Sequence, residues 1–464
     1  MKLSKFSVMA FLSAVTFCGG SALAQAPVVR AGDAYPTRTT AAKSDYSRVI
    51  PTAYSCGDAP VSGCNCDTPS CDTACDGMGG CDGLGGGADE PWKLIQKPIA
   101  GFTIGGWSNV GYHSKANPNS FNTFPRNVQL QQQWFYAERI ADGSKGLGWG
   151  GRIDYLYGTD APDTQAFGVT SQNFDNRWVN GSNNLGYGHA MPQLYGEVAM
   201  GDLSVKMGRF FTIVGNEVVQ ATGNFFYSRQ FMFYNAEPFT HTGALSTYKV
   251  SDDTQIFNGY VLGWDSAFRD NGDAYLGGFK HKLNDTWSII YSSCIGRFGD
   301  ANANTNGEKG QIHSVIFTGT LSDKLTYISQ VDTLLTNNRT GARVRNTFGT
   351  DQYLIYKLTD KVSIGQRFEW FNYGGSFFNN VSNGDLYNYS LGINYRQSAN
   401  LLFRPKSDKF GTSPDLDSTK TTKLASWLSV ATWSSPSKLT RVSTQQKNTL
   451  PEMARCFRFN LSHS

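Results

Sequence analysis

Beyond its first residues the sequence has no apolar run long enough to cross a bilayer as a helix, which takes about 18 residues or more. Mean hydropathy is negative. Membrane-spanning helices are therefore excluded. What is left is a secreted soluble protein or a barrel, the other structure that can span lipid. Net charge is also scarce: +4 on 464 residues. A nucleic-acid partner would call for a basic surface, so none is expected. No pair of the nine cysteines has C-x-x-C spacing. Six of them crowd together as Cys56, Cys64, Cys66, Cys71, Cys75 and Cys81. That crowding suits a disulfide-knotted plug or spacer in an oxidising compartment better than a metal cluster. Catalytic constellations are missing too. His241 has no Ser or Asp arranged with it and reads as a hydrogen-bonder rather than a base. Gly146, Gly148 and Gly151 spell G-x-G-x-x-G, but Trp149, Ile153 and Tyr155 continue a strand where a helix should start. No enzyme, cofactor or metal site is expected.

What is present is organised in blocks. Lys2 and Lys5 precede the apolar stretch Phe6 to Phe17, and Ala22-Leu23-Ala24 has the form of a cleavage site. Residues 1–24 therefore read as a secretory signal. Residues 25–100 read as a disordered leader, cysteine- and glycine-rich in its second half, with a linker at its end.

From Gly101 the texture is β-structure. Aromatics make up 13% of the chain and there are 50 glycines, both favouring strands and turns over helices. The clearest stretch is 191–243. Leu194, Val198 and Met200 share one face of an extended run, and Tyr195 and Glu197 the other. After Gly201-Asp202, Leu203, Val205 and Met207 oppose Ser204 and Lys206. This is a hairpin between two strands of period two. A long aromatic loop, 214–241, follows. The same unit recurs to about residue 405, giving fifteen legible strands and a count of about 16. Tight links (Ser251-Asp252-Asp253, Asn284-Asp285, Ser322-Asp323, Thr359-Asp360) alternate with long ones (113–127, 158–188, 214–241, 265–273, 297–310, 335–348, 372–385). Short turns on one rim and long loops on the other are the pattern of a transmembrane antiparallel up-and-down β-barrel.

The faces agree with that class. Tyr387, Tyr389, Leu391, Ile393 and Tyr395 oppose Asn388, Ser390, Gly392, Asn394 and Arg396. Gln366 is an exception, a polar residue on the apolar face. Trp107, Trp149, Trp264, Trp287 and Trp370 lie near strand ends, where interface girdles form. Face counting turns Arg152, Lys206, Lys249, Lys280, Lys282, Lys357, Arg367 and Arg396 inward, with Asp154, Glu197, Asp332 and Glu369. Basic groups outnumber acidic ones about eight to four, which favours anions weakly. Arg209 shares the face of Met207 and belongs at the headgroup rim unless a bulge at Gly208 turns it inward. Residues 406–464 break the pattern: no tyrosine, one glycine, and abundant Ser, Thr and Lys. They read as a tail or an altered reading frame, with 454–461 as a candidate short last strand.

Residues 208–243 resemble the putative beta-barrel porin-2 (OmpL-like) family. The carriers are Gly208-Arg209-Phe210, Gly215-Asn216-Glu217, the run from Gly223 to Arg229, and Glu237-Pro238-Phe239-Thr240-His241-Thr242-Gly243. The resemblance extends loosely over 101–404. It implies an outer-membrane barrel forming a pore, and does not fix a substrate. The leading expectation is passive diffusion, with outer-membrane lipid and small hydrophilic solutes or anions as partners. By analogy with 16-stranded porins, loop 214–241 enters the lumen, with Glu217, Arg229 and Glu237 as constriction residues. A homotrimer is the assembly to look for. The competing expectation is a secreted or surface all-β glycan-binding protein, which would carry a polar exterior.

Overall fold

The computed structural model of the chain describes residues 98–432, apart from 118–119, 167–173, 179–185, 269–271, 300–307, 377–380 and 413–423. The expected signal, the six clustered cysteines and segment 454–461 lie outside the described residues.

The first half of the fold comprises β1 (Thr103–His113), β2 (Val128–Arg139), β3 (Gly148–Gly158), β4 (Gly188–Ala190), β5 (Leu194–Met200), β6 (Leu203–Phe211), β7 (Thr240–Lys249), β8 (Thr254–Val261) and β9 (Asp273–Lys282). The second comprises β10 (Trp287–Arg297), β11 (Lys309–Ser322), β12 (Leu325–Asn337), β13 (Arg343–Lys357), β14 (Val362–Gly375), β15 (Val381–Ser398), β16 (Leu401–Phe403), β17 (Lys406–Thr412) and β18 (Leu424–Thr432). Two short helices, α1 (Ala161–Thr164) and α2 (Phe231–Ala236), lie in loops.

All these strands belong to one sheet, and each pairs antiparallel with its neighbours in sequence. β4 and β5 share the side of β3, and β16 and β17 together lie between β15 and β18. Each of these two pairs is one interrupted rung, and each interruption holds a proline, Pro192 or Pro405. Proline has no N–H to give to a ladder. Among the described residues the eighteen strands therefore make sixteen rungs. β18 lies along β1, with Trp107 opposite Thr432 and His113 opposite Ser426. First and last strands are thus neighbours, and the rung count is even, as up-and-down pairing around a ring requires.

Three expectations about the strands change. The ladder does not stop at residue 405: β17 and β18 continue it. The expected loops 335–348 and 372–385 are mostly strand. Only 338–342 separates β12 from β13, and the Asn338 side chain caps that turn, accepting from the Thr340 N–H at 3.0 Å and the Ala342 N–H at 2.9 Å.

The faces sort as the alternation requires. Tyr389, Leu391, Ile393 and Tyr395 are 41% to 47% exposed on the outer surface, whereas Asn388 and Ser390 are buried inside. Gln366 is accommodated by a neighbour: Tyr389 Oη donates to its side-chain oxygen at 3.0 Å. Two of the expected girdle tryptophans point inward instead. Trp107 stacks on Trp134 at 4.7 Å, and Trp264 on Phe298 at 4.6 Å. The inner face is also less polar than alternation suggests. Ile290, Ile316, Ile328 and Tyr353 form a buried cluster there, with Phe225 and Phe226 against it.

Candidate functional site

The site is the segment between β6 and β7. It is aromatic and turns back at once, because Gly215 adopts φ +85°. A Cβ at Gly215 would stand 1.6 Å from the Glu237 carboxylate, so only glycine fits beneath it. The segment is tied to itself before it is tied to anything else. Asn224 accepts from the Val218 N–H at 2.9 Å and donates to the Val218 and Gln220 carbonyls at 2.7 and 2.8 Å. Arg229 donates to the carbonyls of Val218, Val219 and Tyr227 at 2.8, 2.7 and 3.1 Å.

This preformed loop crosses the interior. From residue 212 to 239 only Asn216, Thr222, Gly223, Phe225 and Tyr234 escape full burial. On one side Gln132 of β2 donates to the Val219 carbonyl at 2.7 Å and accepts from the Ala221 N–H at 2.9 Å. On the other side β12, β13 and β14 hold it. Arg367 pairs with Glu217 at 2.5 Å, and Tyr353 donates to the same oxygen at 2.8 Å. The Gln230 N–H donates to the second Glu217 oxygen at 2.7 Å. Glu369 accepts from the Met232 N–H at 2.8 Å, satisfying an otherwise orphan donor in the first turn of α2. Gln330 donates to Glu237 at 2.8 Å. Lys406 donates to Ser228 and to Asp408.

Packing follows the same plan. Inward glycines receive the loop's large side chains: Gly365 faces Phe225, Gly111 faces Tyr227 and Gly349 faces Met232. A Cβ at Gly365 would lie 2.3 Å from the Phe225 ring. The strand glycines therefore make room for the loop as well as easing curvature. Phe226, packed against Tyr353, is fully buried; side chains of this size contribute about 1.5 to 3 kcal/mol each when removed from water.

The sequence-selected charges have different fates. Arg367 and Glu217 meet, as described, and Glu369 holds the Met232 N–H. Arg229 is turned into the loop, and Glu237 is buried against Gly215 and Gln330. Arg152 pairs with Asp154 at 2.7 Å and Glu138 at 3.2 Å. Lys206 sits over the Tyr195 ring at 4.7 Å, opposite Glu197 on β5. Lys249, Lys282 and Lys357 pair with turn aspartates three residues on, Asp252, Asp285 and Asp360, at 2.5, 2.6 and 2.8 Å. Lys280 is half-buried. Arg396 lines a space of about 70 Å³ under the loop, with Asn216, Phe225, Ile355, Lys361 and Asn394. Arg209 is fully buried, paired with Asp175 at 3.3 Å and donating to the Thr164 carbonyl at 3.1 Å. Gly208 takes φ +134°, yet neither adjoining ladder shifts register. The rim position and the bulge are both overturned: Arg209 clamps the 158–188 connection. His241 is a hydrogen-bonder, joining the Gly263 carbonyl at 2.8 Å and Thr212 Oγ1 at 2.9 Å.

A second connection presses on the loop. Asp160 accepts from Gln132 at 2.8 Å, and Asp163 accepts from Tyr234 Oη at 3.0 Å. Burial pushes their carboxyls up to about 7 and about 6. Arg404, Lys406 and Asp408 were missing from the residues picked by sequence. Their signal was a charge at every second position, the period of a strand.

The sequence model described as "Putative beta-barrel porin-2, OmpL-like" matches residues 101–431. Among curated proteins none matches the sequence significantly. Among solved structures, the chain is similar to a loop L8 deletion mutant of OmpT, an outer membrane protein of Vibrio cholerae, with TM-score 0.49 and 10% identity over 72% of this chain and 99% of that one. In-vitro folded OmpT of Vibrio cholerae in its trimer form gives 0.48 and 10% over 71% and 98%. A triple mutant of Rhodopseudomonas blastica porin gives 0.42 and 10% over 71% and 99%. The assignment rests on the family match, which covers most of the chain. The chain belongs to the putative beta-barrel porin-2, OmpL-like family and is a porin-like channel protein of the bacterial outer membrane.

Proposed function

We propose that the protein lets small hydrophilic solutes diffuse passively across the outer membrane, with a weak preference for anions. The observation that carries this reading is the loop, which crosses the interior; in this reading it sets how wide a path remains. Glu217, Arg229 and Glu237 act by holding the loop in place, and Arg367 and Glu369 are the wall groups that hold it. Arg152, Lys206, Lys282 and Lys357 contribute less to selectivity than their number suggests, because each lies beside an acidic partner. Lys280 is half-buried on the inner face and Arg396 lines the space under the loop; an inner wall with more basic than acidic groups gives a modest field that favours anions. The apolar outer belt weighs against a solvated glycan-binding protein. No catalytic step belongs to this reading. The assembly we favour is a homotrimer, to be weighed by mass in detergent.

Reversal potentials in a planar bilayer under a salt gradient test the selectivity, and swelling of proteoliposomes in neutral sugars tests the solute class. The expected results are a small shift to the anion side and swelling that falls with solute size. A clear cation preference, or swelling equal to that of empty liposomes, would overturn the proposal.

A further inference from the structure

Arg404 stands between β16 and β17 and is 1% exposed. One end of its guanidinium is spent: Nη1 donates to the carbonyls of Ala221 and Asn224, both at 2.6 Å. The other edge, Nε and Nη2, has no hydrogen-bond partner among the described residues. Nor does Arg404 form an ion pair with any carboxylate among them. The charged groups that act on it are two more arginines, Arg229 and Arg396, and its remaining neighbour of note is the Tyr227 phenol. A buried charge persists where a counter-charge meets it. The Nε and Nη2 donors lie side by side in one plane, the edge that takes two oxygens of a carboxylate or phosphate at once. Both donors are shut off from solvent. The neighbouring space, about 70 Å³ under the loop, is lined by Arg396 together with Thr222, Gly223, Asn224 and Leu402, which bracket the Arg404 contacts.

We propose that the barrel binds a small oxyanion, a phosphate or a carboxylate, on the buried, unpartnered Nε and Nη2 edge of Arg404, with Arg396 drawing it in from the space beneath the loop. This deepens the anion preference proposed above and rests on it only for the route by which the anion arrives.

The test is binding of inorganic phosphate, and separately of acetate, to the full chain refolded in detergent, measured by titration calorimetry. One saturable site per chain is expected. Arg404→Gln should weaken it by about tenfold or more, the scale of a lost bidentate charged contact. Arg404→Lys should weaken it nearly as much, because a point charge lacks the paired donors. Arg396→Gln, outside the Arg404 contacts to the loop, should weaken it several-fold and covers the case in which Arg404 variants misfold. Phosphate binding without acetate binding, or the reverse, identifies the source of the oxyanion and supports the site. Absence of saturable binding by both probes, or binding unchanged in Arg404→Gln and Arg396→Gln, overturns it. Bilayer currents on the same preparation separate the two claims. Conductance steps without oxyanion binding remove the site and leave the channel. Binding without steps does the reverse.

Discussion

Glu217 gathers donors from three places: Arg367 of β14, Tyr353 of β13 and the Gln230 N–H of its own loop. Removing one member of such a buried pair strands the other, at a cost of about 3 to 5 kcal/mol. Glu217→Gln should therefore lower the thermal midpoint in detergent and expose the loop to protease. An unchanged midpoint and an intact loop would mean that the pair is not a principal anchor. Asp160 and Asp163 add a pH dependence. Their folded values are raised by burial, so their contribution to stability is full below the unfolded value of about 4 and is lost as pH rises through about 6 to 7. Arg229 opposes the shift of Asp160, and the Tyr234 hydrogen bond that of Asp163. Protease protection of loop 214–241 should be stronger at about pH 5 than at about pH 8, and Asp163→Asn should flatten the difference. Equal protection at both pH values in the wild type would contradict this. Period-two counting correctly turned Arg367 and Glu369 inward. It could not show that Arg367 meets Glu217, 150 positions away in sequence. Nor could it show that Lys249, Lys282 and Lys357 are neutralised at their own turns, because a face assignment says nothing about a partner beyond the strand end.

At the scale of elements, the strands and the loop are fitted to each other. Gly365→Leu would drive a side chain into the Phe225 ring, and the loop must move or the strand must bend. Overpacking of this kind costs about 1 to 3 kcal/mol. The expected outcome is a folded barrel with a protease-sensitive loop; a variant as protected as the wild type would show that the fit is slack. Most strands were legible because their two faces meet different surroundings. The strand ends at 335–337 and 343–348 were not. Thr336, Asn337, Arg343, Arg345 and Asn346 are polar on both faces, so the period vanishes although the ladder continues. The same blindness hid β18. In its sequence a serine interrupts each alternate set, Ser426 in Leu424, Leu428 and Val430, and Ser429 in Ala425, Trp427 and Ala431. The inward isoleucines of β10 to β12 reversed the expected polarity for another reason: they face the loop rather than water.

At the scale of the whole molecule, the sixteen rungs return to their start through a nine-residue strand. Deleting 424–432 would leave the β1 edge and the inner ends of β16 and β17 without partners, and unpaired backbone groups are untenable in lipid. Such a variant should fail to give the heat-modifiable, compact species on detergent gels that the full chain gives. Its persistence would show that the ring does not depend on β18. The central claim is that one ring conducts and one loop sets its width. Single-channel conductance in a planar bilayer tests it most directly, comparing the full chain with a variant whose residues 216–236 are replaced by a short glycine linker. Discrete ohmic steps from the full chain, and steps several-fold larger from the variant, are the predicted result. Steps of equal size from both, or none from either once folding is verified, would contradict it.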